Sequence, residues 1–219
     1  MQEKEDMYRS LNKSYFGPDM HERESVNNLG ELLFDGAFFV DVGASLGQYT
    51  KAASEAMSGG RIISIEPEPR RFEELERNCH KWSANCTNTI QALCNAVGDK
   101  VGPQTFYTTY SAISGGLFPR NNPNTNWEKI EVDEITLDQL FADDSPDLIK
   151  IDVEGAELRL LRGATRLLGE GKTKILIEIH DSSIVDPLGQ KGPQDVVDFL
   201  VKQGYTKSNF HGRSLYAKK

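Results

Sequence analysis

Three features of the sequence predict a doubly wound α/β sheet, mostly parallel with a C-terminal antiparallel strand. Apolar runs of strand length alternate with stretches whose apolar residues recur at helical spacing. The first such run leads into a glycine turn and a helix, and the chain ends in two short strand-like runs around Gly212. Alternation of this kind puts helices on both faces of a sheet whose strands are buried on both sides.

Residues 1–20 are polar and carry Gly17–Pro18, so they read as an arm that is weakly ordered or packs late onto the domain. Val26, Leu29, Leu32 and Leu33 then mark a helix from about Glu22 to Phe34. Residues 1–35 are thus an arm and a helix ahead of one domain spanning 36–219. Strands are expected at 38–42, 62–65 and 89–93, with helices over 46–57, stopped by Gly59–Gly60, and over 70–82.

An additional strand is expected at 104–108, and a loop rich in Gly, Pro, Asn and Ser over 111–126 reads as a lid, a binding loop or a disordered segment. A short strand at Glu131–Val132 and a short helix within 135–140, capped by Thr136, follow. A fourth core strand at 147–153 runs into a helix over 156–168, and a fifth strand spans 175–179. Gly192–Pro193 opens the last helix, to about Gln203, before a hairpin of 205–210 and 214–217.

The chain has 219 residues, enough for one domain with a large core and no need of disulfides or metals. A formal net charge of −8 argues against a nucleic-acid or anionic-membrane surface, because both require clustered Lys and Arg. Cys79, Cys86 and Cys94 form no C-x-x-C pair and read as reduced thiols of a cytoplasmic protein. The N-terminus is charged, and no apolar run approaches the ~18 residues that a membrane span needs. A small or neutral partner follows.

Asp41, Gly43, Ala44, Ser45 and Gly47 form the turn after the first strand, and Glu66 ends the second, 23 residues beyond Gly43. A glycine turn opening a helix lets backbone N–H groups approach a ligand, and an acid at about this offset reaches ribose hydroxyls. These residues alone leave S-adenosylmethionine (SAM) and NAD both open. Ser45 stands where the dinucleotide fingerprint needs its second glycine, which disfavours a pyrophosphate.

Polar residues also end the later strands: Asn95 after the third, Asp152 and Glu154 after the fourth, His180 and Asp181 after the fifth. Asp152, Glu154 and Glu157 put three carboxylates within six residues where a strand gives way to a helix. For Glu157, compensation of the helix dipole is the favoured reading. For Asp152, on an otherwise apolar strand, a functional role is as well supported as a structural one.

The run Ile149-Lys150-Ile151-Asp152-Val153-Glu154-Gly155-Ala156-Glu157 resembles the FkbM family of SAM-dependent methyltransferases. So do residues 40–47, Ile177-Glu178-Ile179-His180, Asn95-Ala96-Val97-Gly98-Asp99 and Thr136-Leu137-Asp138. The resemblance covers about residues 36–218 and departs at Ser45, where the family usually has Asn. It implies a Rossmann-like class I methyltransferase sheet and methyl transfer from SAM to an oxygen, commonly a hydroxyl on a sugar, polyketide or other small metabolite.

By position, Asp41 and the 43–47 turn would hold the amino-acid end of SAM, Glu66 with the adjoining Pro67 its ribose, and Asn95 with Ala96 the adenine edge. His180 is the first candidate for the base, since an ordinary imidazole titrates near neutrality; Asp152 and Glu154 are the next. A divalent metal held by Asp152, Glu178, His180 and Asp181 is an alternative for orienting substrate oxygens. A non-catalytic SAM-binding module and an NAD-dependent oxidoreductase are the rival functions. Neither the acceptor nor the oligomeric state has a legible motif.

Overall fold

The computed structural model describes residue 16 and residues 22–109, 115–119, 126–180 and 192–218. The arm expected over 1–20, apart from Phe16, and much of the 111–126 loop lie outside the described residues, as does Asp181.

In chain order, α1 (Arg23–Asn27) and a 3-10 turn (Leu29–Glu31) precede β1 (Phe38–Val42), α2 (Gln48–Ala56), β2 (Arg61–Ile65), α3 (Pro69–Ser83) and β3 (Thr89–Leu93). There follow β4 (Ala96–Val97), β5 (Gly102–Thr109), β6 (Gly115–Gly116), β7 (Trp127–Ile135) and α4 (Leu137–Leu140). The remainder is β8 (Leu148–Ile151), α5 (Glu157–Arg162), α6 (Thr165–Glu170), β9 (Lys174–Ile177), α7 (Pro193–Lys202), β10 (Thr206–Phe210) and β11 (Arg213–Ala217).

Seven strands form the main sheet in the order β3-β2-β1-β8-β9-β11-β10. The five strands from β3 to β9 are parallel, and β11 runs antiparallel to both β9 and β10. Strand order reverses between β1 and β8, so the crevice for a ligand opens beyond their carboxyl ends. Alternating side chains feed two cores. Val40, Val42, Ile63, Ile65, Ile149 and Ile151 pack on one face. Phe39, Ile62, Leu148 and Leu176 pack on the other, with Leu29 and Leu33 of the N-terminal segment and Tyr49 and Ala53 of α2. Among the described residues, no helix is long and apolar enough to cross a membrane.

The sequence understated the region between β3 and β8. It forms a second sheet in the order β4-β7-β5-β6, in which β7 pairs with β5 over residues 127–134 and with β4 at its C-terminal end. The expected two-residue strand at Glu131–Val132 is the middle of this nine-residue β7. Its Glu and Lys residues are poor strand formers, and pairing with β5 overrides that preference.

The single helix expected over 156–168 is two helices. The break at Gly163 is tertiary in origin: a Cβ there would overlap the carbonyl oxygen of Gly98, so the turn after β4 packs directly on the helix. Asp138 of α4 then caps α6 from outside, accepting from Arg166 N at 2.8 Å and Leu167 N at 2.9 Å. The N-terminal helix is likewise shorter than expected and continues as the 3-10 turn, with Val26, Leu29 and Leu33 still buried.

Candidate active site

The turn between β1 and α2 is fastened on three sides. Gly43 N and Ala44 N donate to Ile65 O at 2.9 and 3.0 Å, tying it to β2. Ser45 N donates to Glu66 Oε2 at 2.9 Å. Gly43 adopts φ +72°, and a Cβ there would overlap the Asp152 carbonyl, so the turn lies flat against the end of β8. Ser45 is held at φ +50°, and its buried Oγ has no hydrogen-bond partner among the described residues.

Asp41, expected to face a ligand, lies wholly buried beneath this turn. Gly47, at the N-cap of α2, offers no side-chain acceptor, and Asp41 supplies it from the strand below. Its Oδ2 accepts from Thr50 N at 3.1 Å and Thr50 Oγ1 at 2.8 Å. Its Oδ1 lies 3.4 Å from Lys150 Nζ. Asp41 thus acts on the turn through Thr50 and Lys150.

Glu66 is buried at the carboxyl end of β2. Besides Ser45 N, it accepts from Glu68 N at 3.0 Å and faces Arg71 at 3.2 Å. Burial pushes its carboxyl above the ordinary value, against the pull of Arg71 and the backbone donors. Pro67 is half-buried beside it, and Glu68 caps α3 by accepting from Arg71 N at 2.8 Å. Asn95 is partly exposed and donates to Asp133 O at 3.2 Å. Ala96 is buried in β4 against Phe106, Leu117, Phe118 and Val132. Asn95 and Ala96 therefore sit where the chain leaves the main sheet for the second one.

His180, Asp152 and Glu154 do converge. The imidazole Nδ1 is 2.8 Å from Glu157 Oε1; a carboxylate only accepts, so Nδ1 carries the proton. Nε2 is left facing Glu154 Oε2 at 3.2 Å, Asp152 Oδ1 at 3.8 Å and Glu178 Oε1 at 4.0 Å. Burial opposes charging the ring, and the hydrogen bond and charge of Glu157, with Asp152 and Glu178, outweigh it. The His180 pKa therefore stands above the ordinary 6.5. Burial and the neighbouring Asp152 push Glu178 up as well. Arg213 partners Glu178 at 2.9 Å and also pairs with Glu22. Asp152, Glu178 and His180 offer ligand atoms within 4.8 Å of one another, the spacing of a divalent-cation site.

Sequence reasoning gave Glu157 a helix-dipole role and Lys150 none. Glu157 is wholly buried and holds His180, while Lys150, also buried, donates to Gly43 O at 3.0 Å. A signal for Lys150 was present: Ser64, Asp41 and Lys150 each interrupt an apolar strand, and the register sets them side by side across β2, β1 and β8.

The second sheet reaches over the crevice. Gly115 of β6 abuts the guanidinium of Arg71 on the Glu66 side, and Gly116 abuts the backbone of Glu154 on the His180 side. Leu117 and Phe118 then pack into the second-sheet core.

The strand order is that of a class I methyltransferase sheet. Residues 41–207 match the family model of the methyltransferase FkbM domain, and the chain belongs to that family. It is 26% identical over 166 residues to the hexuronic acid methyltransferase AglP of Haloferax volcanii, covering 76% of this chain and 64% of that protein. It is also 26% identical over 168 residues to Methyltransferase 1 of Beauveria bassiana, covering 68% and 66%. The chain therefore spans a little under two thirds of the length of these relatives.

Among solved structures, the FkbM methyltransferase of Methylobacillus flagellatus KT superposes with a TM-score of 0.57 at 20% identity, over 84% of this chain and 44% of that one. A TehB-like SAM-dependent methyltransferase of Corynebacterium glutamicum gives 0.54 at 10% identity, over 100% and 99%. Likeness at these identities speaks to the fold.

Proposed function

We propose that the chain is a SAM-dependent methyltransferase that methylates a hydroxyl oxygen of a small molecule such as a sugar, polyketide or other metabolite. The observation that carries this reading is one crevice with two differently equipped ends. The Ser45–Glu66 junction lies on the β2 side, and the His180–Glu157 pair lies beyond β8 on the other.

The residues fit the cofactor. Glu66 accepts two backbone donors yet has lone pairs to spare for ribose hydroxyls. The turn lies against the end of β8 because Gly43 has no Cβ, and Ser45 Oγ is a buried hydroxyl without a partner among the described residues. The 43–47 turn would hold the amino-acid end, Glu66 and Pro67 the ribose, and Asn95 with Ala96 the adenine edge. Bound SAM supplies a methyl group on a sulfonium, an electrophile that needs an oxygen nucleophile in line and water excluded. His180 Nε2 takes the acceptor proton, Glu157 stabilises the imidazolium that results, and Asp152 and Glu154 accept hydrogen bonds from neighbouring hydroxyls. β6 roofs the crevice and limits water. AglP, a hexuronic acid methyltransferase by name, makes sugars the first acceptors to try.

The test is calorimetry with S-adenosylhomocysteine, followed by transfer of labelled methyl from SAM to a panel of sugars, uronic acids and polyketides. Binding without transfer would establish the non-catalytic module. Stabilisation by NAD and indifference to S-adenosylhomocysteine would establish the oxidoreductase, which the strained Ser45 in place of glycine disfavours. A second reading, favoured by the Asp152, Glu178 and His180 spacing, places a divalent cation there to orient the acceptor oxygens. Turnover abolished by a chelator and restored by Mg²⁺ would favour it over His180 acting as base.

A further inference from the structure

We propose that Lys150 is a positioning residue that sets the SAM-facing turn against the acceptor-side acid, one buried cation serving both halves of the site. This rests on the proposed function and goes beyond it, since Lys150 touches neither substrate.

The ammonium has three donors and lies among three oxygens. It donates to Gly43 O at 3.0 Å, lies 3.4 Å from Asp41 Oδ1 and 3.7 Å from Asp152 Oδ2. It also sits 5.2 Å from the centre of the Tyr49 ring, whose hydroxyl bonds Ser25 Oγ at 2.7 Å. A lysine this buried would ordinarily give up its proton. Burial does oppose the charge, but Asp41 and Asp152 outweigh it and hold the group above the ordinary lysine range. A buried charge kept at that cost needs a task.

The apolar packing of β8 does not require it, because Leu148, Ile149 and Ile151 already fill both faces. Lys150 supplies a donor for the Gly43 carbonyl. Gly43 N is bonded to Ile65 O, so Gly43 is pinned at its nitrogen by β2 and at its oxygen by Lys150 of β8. That residue opens the turn whose Ser45 N–H meets Glu66. Asp152 begins the acidic edge that faces His180. The cation thus fixes the spacing between the nucleoside end and the proton-accepting end.

The charge-balanced variant Asp41→Asn/Lys150→Met removes the cation without stranding a buried carboxylate. We expect it to melt near the wild type, bind S-adenosylhomocysteine ~tenfold or more weakly, and raise KM for SAM while KM for the acceptor stays within about twofold. Lys150→Arg keeps the charge, but its planar fork cannot reproduce the single donor, and we expect the same loss. A purely structural lysine would lower the melting temperature and leave the KM split untouched. Either variant, folded and within about twofold of wild type in S-adenosylhomocysteine affinity and in KM for SAM, overturns the proposal; should the double variant not fold, Lys150→Arg decides. Wild-type protein that binds no S-adenosylhomocysteine overturns the methyltransferase reading itself, and this inference with it.

Discussion

Glu157 Oε1 and His180 Nδ1 lie 2.8 Å apart, joining the first turn of α5 to the residue three beyond the end of β9. The carboxylate fixes the tautomer and turns Nε2 toward Asp152 and Glu154. It also raises the pKa of the ring, with opposite consequences for activity and stability.

A base must be unprotonated to act, so activity should rise with pH along a limb whose midpoint lies above the ordinary 6.5. The folded pKa exceeds the unfolded one, so the stabilisation from the charged pair is complete below about 6.5 and is lost as pH rises through the folded value. Glu157→Gln should move the activity limb to lower pH and reduce kcat ~10- to 100-fold, leaving S-adenosylhomocysteine affinity unchanged. The pH–rate profile of the two proteins checks this.

Gly43→Ala places a methyl against the Asp152 carbonyl at φ +72°. The left-handed conformation costs about 1–2 kcal/mol for a residue with a Cβ, and the overlap adds about 1–3 kcal/mol. Urea unfolding should show a loss of a few kcal/mol, and S-adenosylhomocysteine binding should fall with it because the turn must lift off β8.

The central sheet was legible in the sequence because strands buried on both faces leave mainly apolar runs, as in residues 38–42 and 148–151, each broken by a single charged residue, Asp41 or Lys150. The places of Glu66, His180 and Asp152 at strand ends were legible for the same reason. What escaped was set by partners far away in the chain. β7 is held by β5 despite its charged residues, and the break before α6 is made by Gly98 and Asp138. The burial of Asp41 depends on Thr50 and Lys150, a relation visible only through strand register.

Ser45 adopts φ +50°, a conformation that Asn and Gly tolerate better than Ser. Its backbone N–H, which binds Glu66, does not depend on the side chain. Ser45→Asn and Ser45→Gly should therefore stabilise the fold by about 0.5–1 kcal/mol in chemical denaturation, while Ser45→Val should destabilise it. If Asn fails to stabilise, Ser45 Oγ has a role in the apo turn that offsets the strain.

The second sheet is anchored by a buried ion pair, which offers a way to separate stability from chemistry. Arg159 of α5 lies 2.6 Å from Glu134 of β7 and 2.8 Å from Asp99, and it also donates to Gln104 at 3.2 Å. Glu134 Oε1 accepts from Lys100 N at 3.0 Å, so both carboxylate oxygens are engaged. Arg159→Met strands Glu134 in the interior and should cost about 3–5 kcal/mol. Arg159→Met with Glu134→Gln removes both charges and should recover a large part of that loss. Because β6 belongs to this sheet and roofs the crevice, the single variant should raise the acceptor KM before it touches SAM affinity, since Glu66 and the 43–47 turn belong to the main sheet. Steady-state kinetics on both variants, alongside their urea midpoints, decides it; a parallel loss of SAM affinity in the single variant would show that the two sheets do not act independently.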